Sequence, residues 1–251
     1  MKVVYHPKFT EVYTSDPAAA QGRIECIHEE LKNQYEFVEP QPATDEDILL
    51  AHTRPHVERL RILPQVYAMA LLAAGGAVKT IEIAMKGEPA FGLIRPPGHH
   101  ASRGSSWGFC YFNNVALAIE HLRFDSTIKK AMIIDFDLHY GDGTADIFGG
   151  TSNVTYFHPE GGKREAYVEE LKRFLDIAHE PFDVVAVSAG FDRHEQDWGG
   201  MLKTEDYQTI GIVIKKFAES QSNGRRFAVL EGGYNHSVLG KNVLSFLKGM
   251  E

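Results

Sequence analysis

The sequence predicts an α/β fold: a doubly wound, mainly parallel sheet with helices on both faces. Two observations carry this prediction. Short apolar runs recur along the chain, rich in β-branched and aromatic residues and closed by polar residues or glycine. Most are apolar at every position instead of alternating, which is the pattern of strands buried on both faces of a parallel sheet. Between them lie segments with helical spacing, and strands that alternate with helices imply βαβ units.

The elements follow in chain order. Val3-Val4-Tyr5 is the first strand. Ile24 to Tyr35 is a helix with Ile24, Ile27, Leu31 and Tyr35 on one stripe. Thr44-x-x-Asp47 has the spacing of a capping box ahead of Ile48-Leu49-Leu50. Gln65 to Met85 is a long Ala-rich helix that contains Gly75-Gly76. Phe91 to Ile94 is a strand, Asn113 to Leu122 a helix, and Ala131 to Ile134 and Val154 to Phe157 are strands. Then come a helix over Glu165 to Ala178, a strand over Val184 to Val187, and a helix over Asp206 to Ser220. A strand over Phe227 to Leu230 and a helix over Val238 to Leu247 end the series. No repeat, low-complexity tract or linker divides the chain, so residues 1–251 are predicted to form one domain.

The bulk numbers narrow the function classes. Of 251 residues, 43% are apolar and 24% charged, values ordinary for a globular protein. A net charge of −8 argues against nonspecific nucleic-acid binding and is compatible with a cationic substrate. Cys26 and Cys110 form neither a C-x-x-C motif nor a disulfide framework, which suits a reducing compartment. The apolar run in MKVVYHPKF is too short for a signal peptide, and no window approaches 18 apolar residues, so no membrane span is expected. The expectation is a cytoplasmic enzyme.

In open α/β sheets, ligands bind beyond the carboxyl ends of the strands. Polar clusters lie at four such ends: Pro96 to His100, Asp135 to His139, Ser188 to Asp192, and Glu231 to Tyr234. In an extended segment Asp135, Asp137 and His139 face one side. Two carboxylates and an imidazole on an apolar strand end are costly unless a cation or hydrogen bonds compensate; the bland alternative is a hydrated strand end. With Asp192 as third ligand, Asp137, His139 and Asp192 make a three-ligand site with an open position, as catalytic zinc requires. Such a carboxylate-rich set also accepts iron(II), cobalt or manganese.

His99-His100 follows a Pro-Pro-Gly turn that restricts it, and Asp135 and Asp142 are available as partners. An Asp-paired His is the usual general base near neutral pH. Tyr234, after Gly232-Gly233, is placed to donate to a developing oxyanion. Gly104-Ser105-Ser106-Trp107-Gly108 matches the serine-hydrolase elbow G-x-S-x-G, but no strand runs into Ser106, so it is not expected to act as a nucleophile.

Taken together, "RPPGHH", "GFCYFNN", "IIDFDLHYGDGT", "SAGFD" with "GGMLKTEDY", and "LEGGYN" resemble the histone deacetylase superfamily. That superfamily includes class II histone deacetylases, bacterial deacetylase-like amidohydrolases and acetylpolyamine amidohydrolases. The resemblance implies an arginase-like three-layer α/β/α fold and a zinc-dependent deacetylase. The reaction implied is hydrolysis of an N-acetylated amine, of acetyl-lysine or acetylpolyamine type, by a metal-activated water. It further implies Asp137, His139 and Asp192 as zinc ligands and His100 as general base and acid, with His99 as its electrostatic partner. Asp135 would support His99, and Asp142 would support His100. Tyr234 would stabilise the oxyanion, Gly108 and Phe109 would form a tunnel wall, and Arg23 would lie behind the site.

The chain also departs from that pattern. It has almost no room for the loop that usually carries a substrate-gripping Asp, nor for the glycine-rich excursion that supplies a second aromatic tunnel wall. Tyr156 stands where a Ser usually helps to bind a structural monovalent cation such as K+. A shallower, more open site follows from these departures. Two other readings stay in view: a binuclear manganese amidinohydrolase, which would need more carboxylates than the distant Asp197, and a non-catalytic acetyl-amine-binding scaffold.

Overall fold

The structure, a computed structural model, describes all residues, 1–251. Seven strands form one sheet: β1 (Lys2–Val4), β2 (Glu36–Val38), β3 (Ala90–Gly92), β4 (Ala131–Asp135), β5 (Val154–Phe157), β6 (Val184–Ala189) and β7 (Arg226–Leu230). Their order is β2-β1-β3-β7-β6-β4-β5, and every neighbouring pair is parallel. The apolar runs read as strands all lie in this sheet. Edge strand β2 escaped that reading because it is three residues long with one exposed acidic end.

Nine helices cover the sheet. They are α1 (Arg23–Leu31), α2 (Asp45–Ile48), α3 (Arg54–Arg61), α4 (Pro64–Met85), α5 (Asn114–Phe124), α6 (Asp142–Phe148), α7 (Arg164–Ile177), α8 (Thr204–Gln221) and α9 (His236–Met250). α9 packs against both α8 and α1, and α7 against α8, while α4 packs against α5 and strands β1, β3 and β7. The capping box forms as expected: Thr44 Oγ1 accepts from Asp47 N–H, and Asp47 Oδ2 accepts from Thr44 N–H. Two helices were not foreseen. α3 buries only His56, Val57 and Leu60 of its eight residues, and α6 begins inside the polar Asp142-Gly143-Thr144 run.

α4 corrects the expectation that no window approaches the apolarity of a membrane span. By length and composition it is apolar enough to cross one, with a mean hydropathy of 1.5, yet 67% of that window is buried inside the fold. It is apolar nearly all round because it packs between the sheet and α5.

The sheet order positions the site. β3, β7, β6 and β4 are adjacent at its centre, and these are the four strands whose carboxyl ends carry the polar clusters. A core of 66 buried residues runs beneath them. The two expected shortenings are present: only Ile62 and Leu63 join α3 to α4, and six residues, 158–163, join β5 to α7.

Candidate active site

Polar residues gather at or just beyond the carboxyl end of each central strand. β4 stops at Asp135, which corrects the extended reading of Asp135 to His139, because Asp137 and His139 lie on irregular backbone beyond it. That backbone turns on its own carboxylates. Asp135 Oδ1 accepts from Asp137 N–H at 3.1 Å, and Asp137 Oδ1 accepts from His139 N–H at 2.9 Å. The turn separates the roles, sending Asp135 towards His99 and the other two towards Asp192.

Asp137, His139 and Asp192 converge, with ligand atoms within 4.8 Å of one another. His139 Nδ1 is 3.4 Å from both Asp137 Oδ1 and Asp192 Oδ2. Asp137 and Asp192 are fully buried, and Asp192 Oδ2 has no hydrogen-bond partner. An orphaned carboxylate oxygen in such a place calls for a cation. Gly232 leaves the room for one, since a Cβ there would stand 2.6 Å from Asp137 Oδ2 and 2.7 Å from Asp192 Oδ2. Burial and the neighbouring Asp137 charge push Asp192 up to about 6, while the close carboxylates of Asp137 and Asp192 raise His139 to about 10. Two carboxylates and one imidazole with a gap between them fit a divalent transition metal.

Beside this cluster stand two His–Asp pairs. His99 Nδ1 lies 3.1 Å from Asp135 Oδ2, and His100 Nδ1 lies 2.6 Å from Asp142 Oδ1. Each carboxylate fixes the tautomer of its ring and leaves Nε2 free to face the pocket. Burial opposes charge on His99, but the carboxylates of Asp137 and Asp135 outweigh it and hold the ring well above its ordinary value. His100 moves the other way, because burial and the charge on His99 both lower it and Asp142 only partly offsets them. A charged His99 beside a neutral His100 is the division of labour expected of an electrostatic partner and a general base.

The remaining expected residues line the same pocket. Gly108 and Phe109 both have positive φ, 60° and 67°, and a Cβ on Gly108 would stand 2.6 Å from the His100 ring. This strained turn aims Phe109 at the mouth. Tyr234 closes the opposite side, its ring centroid 6.0 Å from that of Phe109. Arg23 is buried behind it, donating from Nε to Gly233 O at 2.8 Å and from Nη2 to Glu231 O. Ser106 lies on an irregular segment with no strand running into it.

Four residues at the site carried no signal, or a different one, in the sequence. Glu231 Oε2 accepts from Gly98 N–H at 2.7 Å and His99 N–H at 3.2 Å, pinning the histidine turn. Its place directly after β7 was the available clue. Trp107 stacks on His100 at 4.0 Å and donates from Nε1 to Asp142 Oδ2 at 2.8 Å. Trp198, from the loop after β6, stands 6.4 Å from Phe109, so a second aromatic wall exists but comes from another loop. The Tyr156 hydroxyl donates to Asp135 Oδ2 at 3.0 Å and accepts from Gly141 N–H at 2.9 Å. The cavity between these side chains is small, about 130 Å³. A larger one of about 650 Å³ lies between the N-terminal segment and α4, away from the converging histidines and carboxylates.

Comparison with known proteins now decides the family. The model of the histone deacetylase domain matches residues 17–159 and 157–250. The chain belongs to the histone deacetylase family. A probable deacetylase of Methanothermobacter thermautotrophicus is 33% identical over 86% of this chain and 79% of its own length. A histone deacetylase-like amidohydrolase of Pseudomonas aeruginosa is 28% identical over 83% of this chain and 70% of its own. A polyamine deacetylase of Danio rerio is 30% identical over 80% of this chain and 38% of its own. The solved HDA15 HD domain superposes with a TM-score of 0.82 at 22% identity, covering all of this chain and 90% of that one, so the fold is shared. This histone deacetylase family member is a hydrolytic deacetylase on a three-layer α/β/α fold.

Proposed function

We propose that the chain is a zinc-dependent deacetylase that hydrolyses an N-acetylated amine, of acetyl-lysine or acetylpolyamine type, to acetate and the free amine. The observation that carries this reading is the partnerless buried oxygen of Asp192, facing Asp137 and His139 beside two His–Asp pairs. Asp137, His139 and Asp192 would hold the ion, and iron(II) or cobalt would also suit this donor set. When bound, the ion polarises the amide carbonyl and makes water more acidic.

The chain's own residues do the rest. His100 Nε2, free because Nδ1 is tied to Asp142, takes the proton of the attacking water and passes it to the leaving nitrogen. The charge on His99, held by Asp135, favours the negative charge that develops in the transition state. Tyr234 donates to the oxyanion. Phe109 and Trp198 keep bulk water from the amide, and the small cavity suits a short acyl group. Tyr156 ties Asp135 to Gly141 directly, which leaves a monovalent cation such as K+ no bridging work there.

Neither alternative is supported at the site. Asp197, the carboxylate that a second manganese would need, is engaged by the N–H groups of Tyr234, Asn235 and Trp198. A passive scaffold has no use for an aligned general base.

Metal content and turnover on a fluorogenic acetyl-lysine substrate, acetylputrescine and acetylspermidine test the reading together. The expected result is about one transition metal per chain, as for a single three-ligand site. Activity should be lost on chelation, and Ser106→Ala should leave turnover unchanged. Two metals per chain, or activity that survives chelation, would refute it.

The pH profile adds a second expectation. A base works in its neutral form, and His100 lies below its ordinary value, so the acid limb of kcat/KM should fall below about 6.5. Asp142 raises His100, so Asp142→Asn should move that limb to still lower pH. A limb that moves up in the variant would contradict the pairing.

A further inference from the structure

We propose that Trp198, besides walling the pocket beside His139, is a positioning residue for Tyr234, so that turnover depends on a tryptophan that offers no group to the reacting atoms. The inference rests on the deacetylase reading above, in which Tyr234 holds the oxyanion.

Tyr234 sits on a weak mount. Gly232 and Gly233 precede it, and Gly233 has a φ of 118°, a conformation only glycine adopts readily. Two adjacent glycines leave the following residue free to swing, so its place has to be imposed from outside. The constraints come from the loop after β6. The Trp198 indole stacks on the Tyr234 ring with centroids 4.0 Å apart and planes 23° from parallel. Asp197, its neighbour, accepts from Tyr234 N–H at 2.8 Å and Asn235 N–H at 2.7 Å through Oδ2, and from Trp198 N–H at 2.8 Å through Oδ1. Asn235 Nδ2 returns a hydrogen bond to Gln196 O at 2.6 Å. The two loops are therefore laced together by backbone bonds, and the ring itself is held by the indole. The Arg23 guanidinium lies over the same ring, 5.5 Å from its centroid.

Core packing does not account for Trp198, since 53% of it is exposed. Stacking on a ring locks its orientation without engaging the hydroxyl, which stays free to donate to a substrate.

The test compares Trp198→Ala with Trp198→Phe in zinc-loaded enzyme. Steady-state kinetics on an acetyl-lysine substrate are read beside the ¹⁹F resonance of 3-fluorotyrosine placed at position 234. A catalytic group displaced by about 1 Å loses on the order of 10² in rate. Trp198→Ala should therefore lower kcat by about tenfold to a hundredfold while KM stays within about twofold, as for an interaction made in the transition state. The ¹⁹F line should broaden or split. Trp198→Phe keeps a ring face and should restore most of kcat and a single line, with metal content the same throughout. Trp198→Leu, apolar but without a ring face, takes the place of the alanine variant if that one does not fold.

A raised KM with unchanged kcat would make Trp198 a substrate wall only and overturn the proposal. So would an unchanged kcat together with an unchanged ¹⁹F line, while leaving the deacetylase reading intact. If the wild type hydrolyses no acetyl amide but the line responds as described, the clamp stands and the functional reading falls.

Discussion

Replacing Tyr234 by phenylalanine should lower kcat by about 10²–10³-fold, the loss seen when one oxyanion donor is removed. KM should change little and zinc should remain near one per chain. The geometry sets these expectations. The Tyr234 ring is half-buried and held by Trp198, Arg23 and Phe109, none of which bonds its hydroxyl, so losing the oxygen disturbs no packing. Burial, and then the negative charge of Asp137, push the phenol far above its ordinary value, so it stays protonated and is a donor at every working pH. The ligand set is untouched, so metal content separates a chemical defect from an unfolded site. A variant that loses metal would place Tyr234 in the metal's support, and one that keeps full turnover would remove it from the reaction.

Asp192→Asn should abolish activity and yet stabilise the metal-free protein. Asp137 and Asp192 face each other in full burial, and the pair gives up its second proton only near pH 6. In the unfolded chain an Asp ionises near 3.9. Between these values the native state holds more protons than the unfolded state, so stability falls as pH rises through the window and stays lower above it. Asparagine removes that repulsion and can still accept from Leu138 N–H, which Asp192 Oδ1 does at 2.9 Å. The melting temperature of the metal-free variant should lie above that of the metal-free wild type. Zinc in excess should then raise the wild-type melting temperature and leave the variant's unchanged. A variant less stable than the metal-free wild type would show that the site carries no like-charge strain. The arrangement trades fold stability for affinity towards a cation, which is common where function is concentrated.

Local sequence determined a large part of this protein. Runs such as Met132-Ile133-Ile134 and Val184-Val185-Ala186-Val187 read as buried strands because they are short, rich in β-branched residues and apolar at every position. The polar residues that end them therefore had to lie on one rim, and His99, His100, Asp135, Asp137, His139, Asp192 and Tyr234 are found there together. Tertiary structure alone decided the rest. Nothing local places β3, β7, β6 and β4 side by side, since strand order depends on how helices of both layers pack. The turn after β4 is itself local, made by carboxylates accepting from the backbone two residues on, but what each carboxylate then meets, His99 for Asp135 and Gly232 for Asp137, is set by the packed fold. The partners of Trp107 and Trp198 are likewise 35 or 36 residues away along the chain, at Asp142 and Tyr234, where periodicity carries no information. Sequence pattern records which face of an element is buried, and only the packed fold records what each polar side chain meets.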